Sequence, residues 1–159
     1  MTDHCFKLYL ATGFLAFVGC GNPLGTVPAG GTVTYNDQPV VGAGILYMRD
    51  NSTNETGPAA IGETDENGQY QLRTNQFDGA VPGKYVVVVA KDNSDSLNIP
   101  DPLPEGKTRT DWMQANNVVP KSVLPLVYGN PLETPLQVEI TDDPDQNHFE
   151  IILEGSPPE

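Results

Sequence analysis

The chain has 159 residues, long enough for one domain with one core, and its 38% apolar content comes in short runs separated by 16 glycines and 15 prolines. That pattern favours many brief strands over helices, and a folded body over a disordered one. Eight basic residues against 21 acidic ones leave a formal net charge of -13, which repels nucleic-acid phosphates and anionic headgroups and argues against binding either through a basic patch.

Residues 1–19 have the layout of a signal peptide. Lys7 and the amino terminus precede an uncharged run from Leu8 to Gly19, and small Gly19 stands directly before Cys20. The run is well short of the ~20 residues a helix needs to cross a bilayer, so it is a poor permanent anchor. Phe17-Val18-Gly19-Cys20 resembles the lipobox of bacterial lipoproteins, whose cysteine is lipidated and begins the mature chain. The family usually has Leu where Phe17 stands, and the charged region here holds Asp3 and a single Lys. The resemblance implies lipidation at Cys20. Two or more acyl chains anchor a protein stably, because each buried CH₂ contributes ~0.8 kcal/mol. The alternative is an uncleaved buried strand or short core helix ending in a Gly-Cys-Gly turn. The other cysteine is Cys5, so a chain that starts at Cys20 has no intramolecular disulfide. Residues 20–31 carry Pro23, Pro28 and several glycines, which suits a short tether between membrane and domain.

The body, residues 32–154, reads as strands, with 155–159 as a tail. Val33 and Tyr35 alternate with Thr32 and Thr34, as a half-buried strand requires, and Asn36-Asp37 supplies a turn. Ala43 to Met48 is apolar on both faces, predicting a strand covered on each side. Gly62 to Thr64 runs through Asp65-Glu66-Asn67-Gly68 into Gln69 to Arg73, where Tyr70 and Leu72 share a face; this is a hairpin signal. Asp65 or Asn67 is expected to bond nearby backbone and Gly68 to take positive φ. Gly42 and Gly44 suit a close backbone approach or a bulge.

Tyr85 to Ala90, with four consecutive valines after Tyr85, has the β-branched density of a central strand. Leu136, Val138 and Ile140 alternate with Gln137, Glu139 and Thr141, and Phe149, Ile151 and Leu153 with His148, Glu150 and Ile152. Some seven short strands without a convincing amphipathic helix predict an all-β, two-layer antiparallel sandwich. Residues 92–125, with five prolines from Pro100 to Pro125, form an insertion too long for an ordinary connection, either a binding loop or simply mobile. Within it Thr110 to Asn116 suits one or two helical turns, and the lone tryptophan, Trp112, is expected to cap one end of the sandwich rather than to serve as a ligand platform.

Taken in order, the segments from Gly30 to Asp50, Ala59 to Thr74, Asp78 to Lys91, Leu124 to Pro131 and Asn147 to Leu153 resemble the carboxypeptidase regulatory-like domains carried by many planctomycete lipoproteins. The resemblance covers nearly all of Gly30 to Leu153 apart from the insertion. It implies a transthyretin-like, or prealbumin-like, Greek-key β-sandwich of about seven strands, and it implies no reaction for the isolated domain. Transthyretin-like hydrolases and intradiol dioxygenases share a related sandwich but rely on several histidines.

Chemistry is sparse. Outside the leader the chain has one imidazole, His148, on the polar side of the last strand, so a zinc site built from imidazoles lacks its ligands. Ser52, Ser94, Ser96, Ser122 and Ser156 have no G-x-S-x-G setting. Asp65-Glu66-Asn67, Asp92-Asn93-Ser94-Asp95 and Asp142-Asp143-Pro144-Asp145 offer oxygen ligands for calcium, but none has the EF-hand pattern, and solvated turns are the preferred reading. No catalytic, cofactor or metal residue is therefore expected, and the one site residue is Cys20. The expected protein is a membrane-anchored lipoprotein of the cell envelope, on the periplasmic side or at the outer membrane. Its sandwich would act as a non-catalytic binding or structural module for an envelope protein or glycan, not for nucleic acid, with oligomeric state left open. The alternative is an enzyme of unrecognised type with its site in the 92–125 insertion, favoured if a pocket joins that insertion to converging carboxylates.

Overall fold

The computed structural model describes residues 22–50 and 56–158; the leader, Cys20 and Ser52 lie outside the described residues. Among the described residues ten strands form two sheets: β1 (Gly30–Tyr35), β2 (Gln38–Pro39), β3 (Gly44–Arg49), β4 (Ala60–Glu63), β5 (Gln69–Gln71), β6 (Arg73–Thr74), β7 (Phe77–Asp78), β8 (Gly83–Ala90), β9 (Gln137–Ile140) and β10 (His148–Leu153). Strand accounts for 36% and helix for 13%, so the expectation of an all-β chain holds. The count exceeds seven because β2, β6 and β7 are two-residue pairings, too short to show a periodicity.

In the smaller sheet β10 runs along the whole of one edge of β1, from Gly30 opposite His148 to Tyr35 opposite Leu153. The other edge is shared by β5, opposite Gly30 to Thr32, and β2, opposite Thr34 and Tyr35. The β1–β10 pair is parallel, a departure from the antiparallel expectation. Parallel neighbours need a long crossover, and here the body of the domain supplies it, since β1 and β10 are its first and last strands. The larger sheet is antiparallel in the order β7-β6-β4-β3-β8-β9.

The inward side chains are those the alternation marks: Val33, Tyr70, Ile151 and Leu153 from the smaller sheet meet Ile45, Tyr47, Tyr85, Val87, Val89 and Ile140 from the larger one in a single core. The expected central strand is β8, hydrogen-bonded to β3 on one side and β9 on the other. Val87 is fully buried, and Val88, pointing the opposite way, is only 8% exposed.

Two local expectations change. The Asp65–Gly68 turn forms, with Asp65 Oδ1 accepting from the amides of Asn67 and Gln69, both at 2.8 Å, and Gly68 at φ 74°. It does not close a simple hairpin, because β4 pairs in the larger sheet while β5 pairs with β1 in the smaller. After β5 the chain crosses back, and Arg73 sits opposite Ile61. Neither Gly42 nor Gly44 is approached closely by backbone: Gly42 takes positive φ (65°) with the Lys91 side chain over it, and Gly44 meets nothing closer than ordinary contact distance.

Of residues 20–31, read from the sequence as a tether, Thr26 and Val27 lie against the sandwich. Thr26 Oγ1 donates to the Asp78 carbonyl at 2.7 Å, and Val27 and Ala80 exchange backbone hydrogen bonds of 2.8 and 3.0 Å. The chain is thus docked on the sandwich before β1 begins.

The 92–125 insertion is closed at its base by a bridge between Asp92 and Ser122 and by the Asn93 amide donating to the Lys121 carbonyl at 3.0 Å. It contains a short 3-10 turn, Ser94–Ser96, and helix α1, Arg109–Ala115, near the expected place. Thr108 and Asp111 form a capping box there. Trp112 does not cap the sandwich. It is half-buried and α1 buries no residue in the core. That role falls to Leu124 and to Tyr128 of α2, Leu126–Gly129, which are 2% and 9% exposed. A seven-residue helix held by polar caps has little apolar area to bury, whereas Tyr128 reaches the core and its hydroxyl donates to the Glu154 carbonyl at 3.1 Å.

Candidate functional site

A cleft of about 710 Å³ opens where the ends of β4 and β8 meet the insertion and α2. Glu63, Asp92, Asp95 and Glu133 contribute four carboxylates, Leu126 and Val89 an apolar wall, and Lys91, Ser94, Ser122 and Asn130 the remaining polar surface. The volume is in the usual range for small-ligand sites. It brings the insertion and four carboxylates to the walls of one cleft; a pocket joining the insertion to converging carboxylates was the feature that the sequence singled out as favouring an enzyme.

Lys91 and Asp95 inside it are paired with each other. The Lys91 amine, on a side chain only 18% exposed, lies 2.5 Å from Asp95 Oδ2 and sits directly over Gly42, where a Cβ would come within 2.9 Å of it. Hydrogen bonding and charge from Lys91 hold the Asp95 carboxyl below the usual range. The Ser94 side chain and amide do the same for Asp92, whose Oδ1 accepts from the Ser94 amide at 2.9 Å. Arg109 donates to the Ser94 carbonyl and so ties α1 to the rim. Both aspartates are therefore ionised at neutral pH. A cleft of this kind can accept hydrogen bonds from hydroxyls or amines, but Asp92 and Asp95 hold no proton to donate.

A second cleft, about 550 Å³, follows the flank of β1 and β5 and is lined by Gly30, Tyr70, Asp78, Asn147 and His148 among others. Its buried polar groups are satisfied internally. The Tyr70 hydroxyl is 2.7 Å from that of Tyr47, and the Asn147 side chain accepts from the Thr141 amide and donates to the Thr141 carbonyl, each at 2.9 Å. His148 is exposed on the polar face of β10, opposite Phe149, Ile151 and Leu153.

The three calcium candidates stay apart as turns. Asp65 Oδ1 and Asp92 Oδ1 accept from backbone amides, and Asp143 accepts from the Asp145 amide and the Gln146 side chain. Among the described residues no three His, Cys, Asp or Glu side chains are placed to hold a metal ion. Ser122 Oγ donates to the Leu124 carbonyl at 2.8 Å, and Ser94 and Ser96 belong to the 3-10 turn. No described helix is long and apolar enough to cross a membrane.

Sequence reasoning singled out the Asp92–Asp95 run but missed Glu63, Glu133 and α2 as walls of the same cleft, which only the pairing of distant segments assembles. It also missed Asn147, buried to 2% exposure. Compared with protein-family models, curated proteins and solved structures, the chain matches none.

Proposed function

We propose that this chain is a lipoprotein of the bacterial cell envelope, anchored to its membrane through acylated Cys20, whose sandwich is a non-catalytic binding or structural module for an envelope protein or glycan. The fold reading that goes with it is a transthyretin-like Greek-key sandwich of the carboxypeptidase regulatory-like kind. Two packed β-sheets around one core are consistent with that reading.

The observation that carries the non-catalytic reading is the state of the large cleft. Acid–base catalysis near neutral pH uses groups poised to exchange a proton, commonly carboxylates pushed upward by burial or a neighbouring negative charge. Asp92 and Asp95 are instead exposed and held low by their partners, and Lys91 is committed to Asp95. Such groups suit recognition of hydroxyls or amines. The presence of a cleft joining the insertion to four carboxylates favours the second reading, an enzyme of unrecognised type. The two separate in assays of the purified chain, where turnover lost on Asp92→Asn with binding retained would establish the enzyme.

The anchoring is tested by membrane fractionation and intact-mass analysis. The expected product begins at Cys20 and carries acyl mass, and Cys20→Ser releases it to the soluble fraction because the leader is too short to span. Recovery of an unmodified chain starting near Met1 would refute the anchor. Affinity capture with the lipidated protein would then identify the partner.

A further inference from the structure

We propose that anchorage at Cys20 stands the sandwich on one particular end, so that the cleft beside the insertion opens away from the anchoring bilayer, toward partners that approach from outside it. This rests on the lipidation reading above and adds to it a direction. The near end is defined by where the chain first docks. Thr26 lies only six positions after Cys20, a reach of at most ~20 Å fully extended. A turn shortens it further, since the Gly25 amide donates to the Asn22 carbonyl at 3.2 Å and Asn22 Nδ2 to the Thr26 carbonyl at 3.1 Å.

Thr26 and Val27 are bonded to Asp78 and Ala80. Asn147 joins the same end, its backbone carbonyl accepting from the Gly30 amide at 3.0 Å and its side-chain Nδ2 donating to the Pro28 carbonyl at 3.4 Å. Thr141 is held by Asn147, and neighbouring Ile140 is opposite Gly83, the first residue of β8. All these residues therefore lie at the membrane-facing end.

The strands run away from it. β1 and β10 advance in parallel to Tyr35 and Leu153, and the Tyr35 hydroxyl donates to the Gly155 carbonyl at 2.8 Å beyond them. β8 advances from Gly83 to Ala90, and Lys91, Asp92 and the base of the insertion follow. Eight residues of β8 extend ~25 Å at ~3.3 Å each. The cleft is thus separated from Thr26 by more than the tether's full reach, and the domain cannot invert to press the cleft on its own bilayer. The net charge of -13 further disfavours lying down on anionic headgroups.

Trp112, the sole tryptophan, belongs to an insertion rooted at the far end and tied back to it through Arg109 and Ser94, so it serves as a built-in donor. The acylated full-length product is reconstituted into vesicles containing a dansyl-headgroup lipid, and energy transfer from tryptophan is read together with flotation. Weak transfer is expected from wild type and from W112F/L132W, whose indole stands at the rim of the cleft. Several-fold stronger transfer is expected from W112F/D142W, whose indole stands at the near end. Equal transfer from near and far positions in chains that float overturns the orientation alone. Wild-type chains that fail to float overturn the anchor and the orientation with it.

Discussion

Tyr47 of β3 and Tyr70 of β5 join the two sheets through hydroxyls 2.7 Å apart in the middle of the core, with the Tyr85 and Phe149 rings packed around Tyr47 at centroid distances of 5.8 and 6.3 Å. Tyr47 is fully buried, while Tyr70, 3% exposed, also lines the flank cleft. Tyr70→Phe removes the hydroxyl partner of Tyr47 and leaves a buried group unpaired, at a cost of ~1–3 kcal/mol. Tyr47→Phe leaves Tyr70 with access to water through the cleft and costs nearer ~0.5–1.5 kcal/mol, the ordinary worth of one hydrogen bond. The double Phe variant abolishes both the bond and the orphan, so it should be more stable than the sum of the singles predicts by ~1 kcal/mol or more. Denaturant melts of the four proteins measure the cycle. Burial also pushes both hydroxyls upward, that of Tyr70 to about 12 and that of Tyr47 further. Because the unfolded phenols release protons near pH 10 and the folded ones do not, this contribution is complete below pH 10. It falls above that by up to ~1.4 kcal/mol per pH unit for each group, a loss the double variant should not show. Additive singles, or a Tyr47→Phe costlier than Tyr70→Phe, would refute the account of the pair.

Val87→Asp places an unpaired charge at the centre of β8 and should cost several kcal/mol, enough to unfold a domain of ordinary stability; a change under ~1 kcal/mol in a denaturant melt would show the strand not to be central. Asp65→Ala removes the acceptor of the Asn67 and Gln69 amides and should cost ~1–2 kcal/mol, with faster amide exchange confined to that turn as the local readout. His148→Ala should leave stability within ~0.5 kcal/mol of wild type, because the side chain is exposed on the polar face of β10; loss of partner binding in that variant would move the functional surface to the flank cleft.

What was legible in the sequence was whatever a strand writes into its own alternation. Val33 with Tyr35, Tyr70 with Leu72, and Phe149 with Ile151 and Leu153 declare an inward face because side chains on a pleated strand repeat every second residue. The Asp65–Gly68 turn was legible for a similar reason, since a short carboxylate bonding amides two and four residues on is a local event. Pairing partners are not local. Nothing within Gln69–Gln71 says that it leaves β4 for β1, or that His148–Leu153 returns to lie parallel to the first strand. Those choices are set by which faces must close over the core.

The large cleft was hidden by the same logic. Asp92 and Asp95 could be picked out as a run of oxygen ligands, but the sequence offers no hint that Lys91 neutralises one of them, or that Glu63 and Glu133 line the same space from opposite sides of the chain's course. Asn147 illustrates the limit most sharply. Read along the chain it is the polar residue after an acidic turn, with every composition cue pointing to solvent. In the fold its amide pairs with both backbone groups of Thr141 and also reaches Pro28, replacing a missing strand residue between β9, β10 and the docked N-terminal segment. A side-chain amide can do this because it carries a donor and an acceptor like the peptide group itself. Burying it is tolerable only because both are used. The end of the sandwich on which the N-terminal segment docks is therefore held by a residue whose role appears only once three distant segments are brought together.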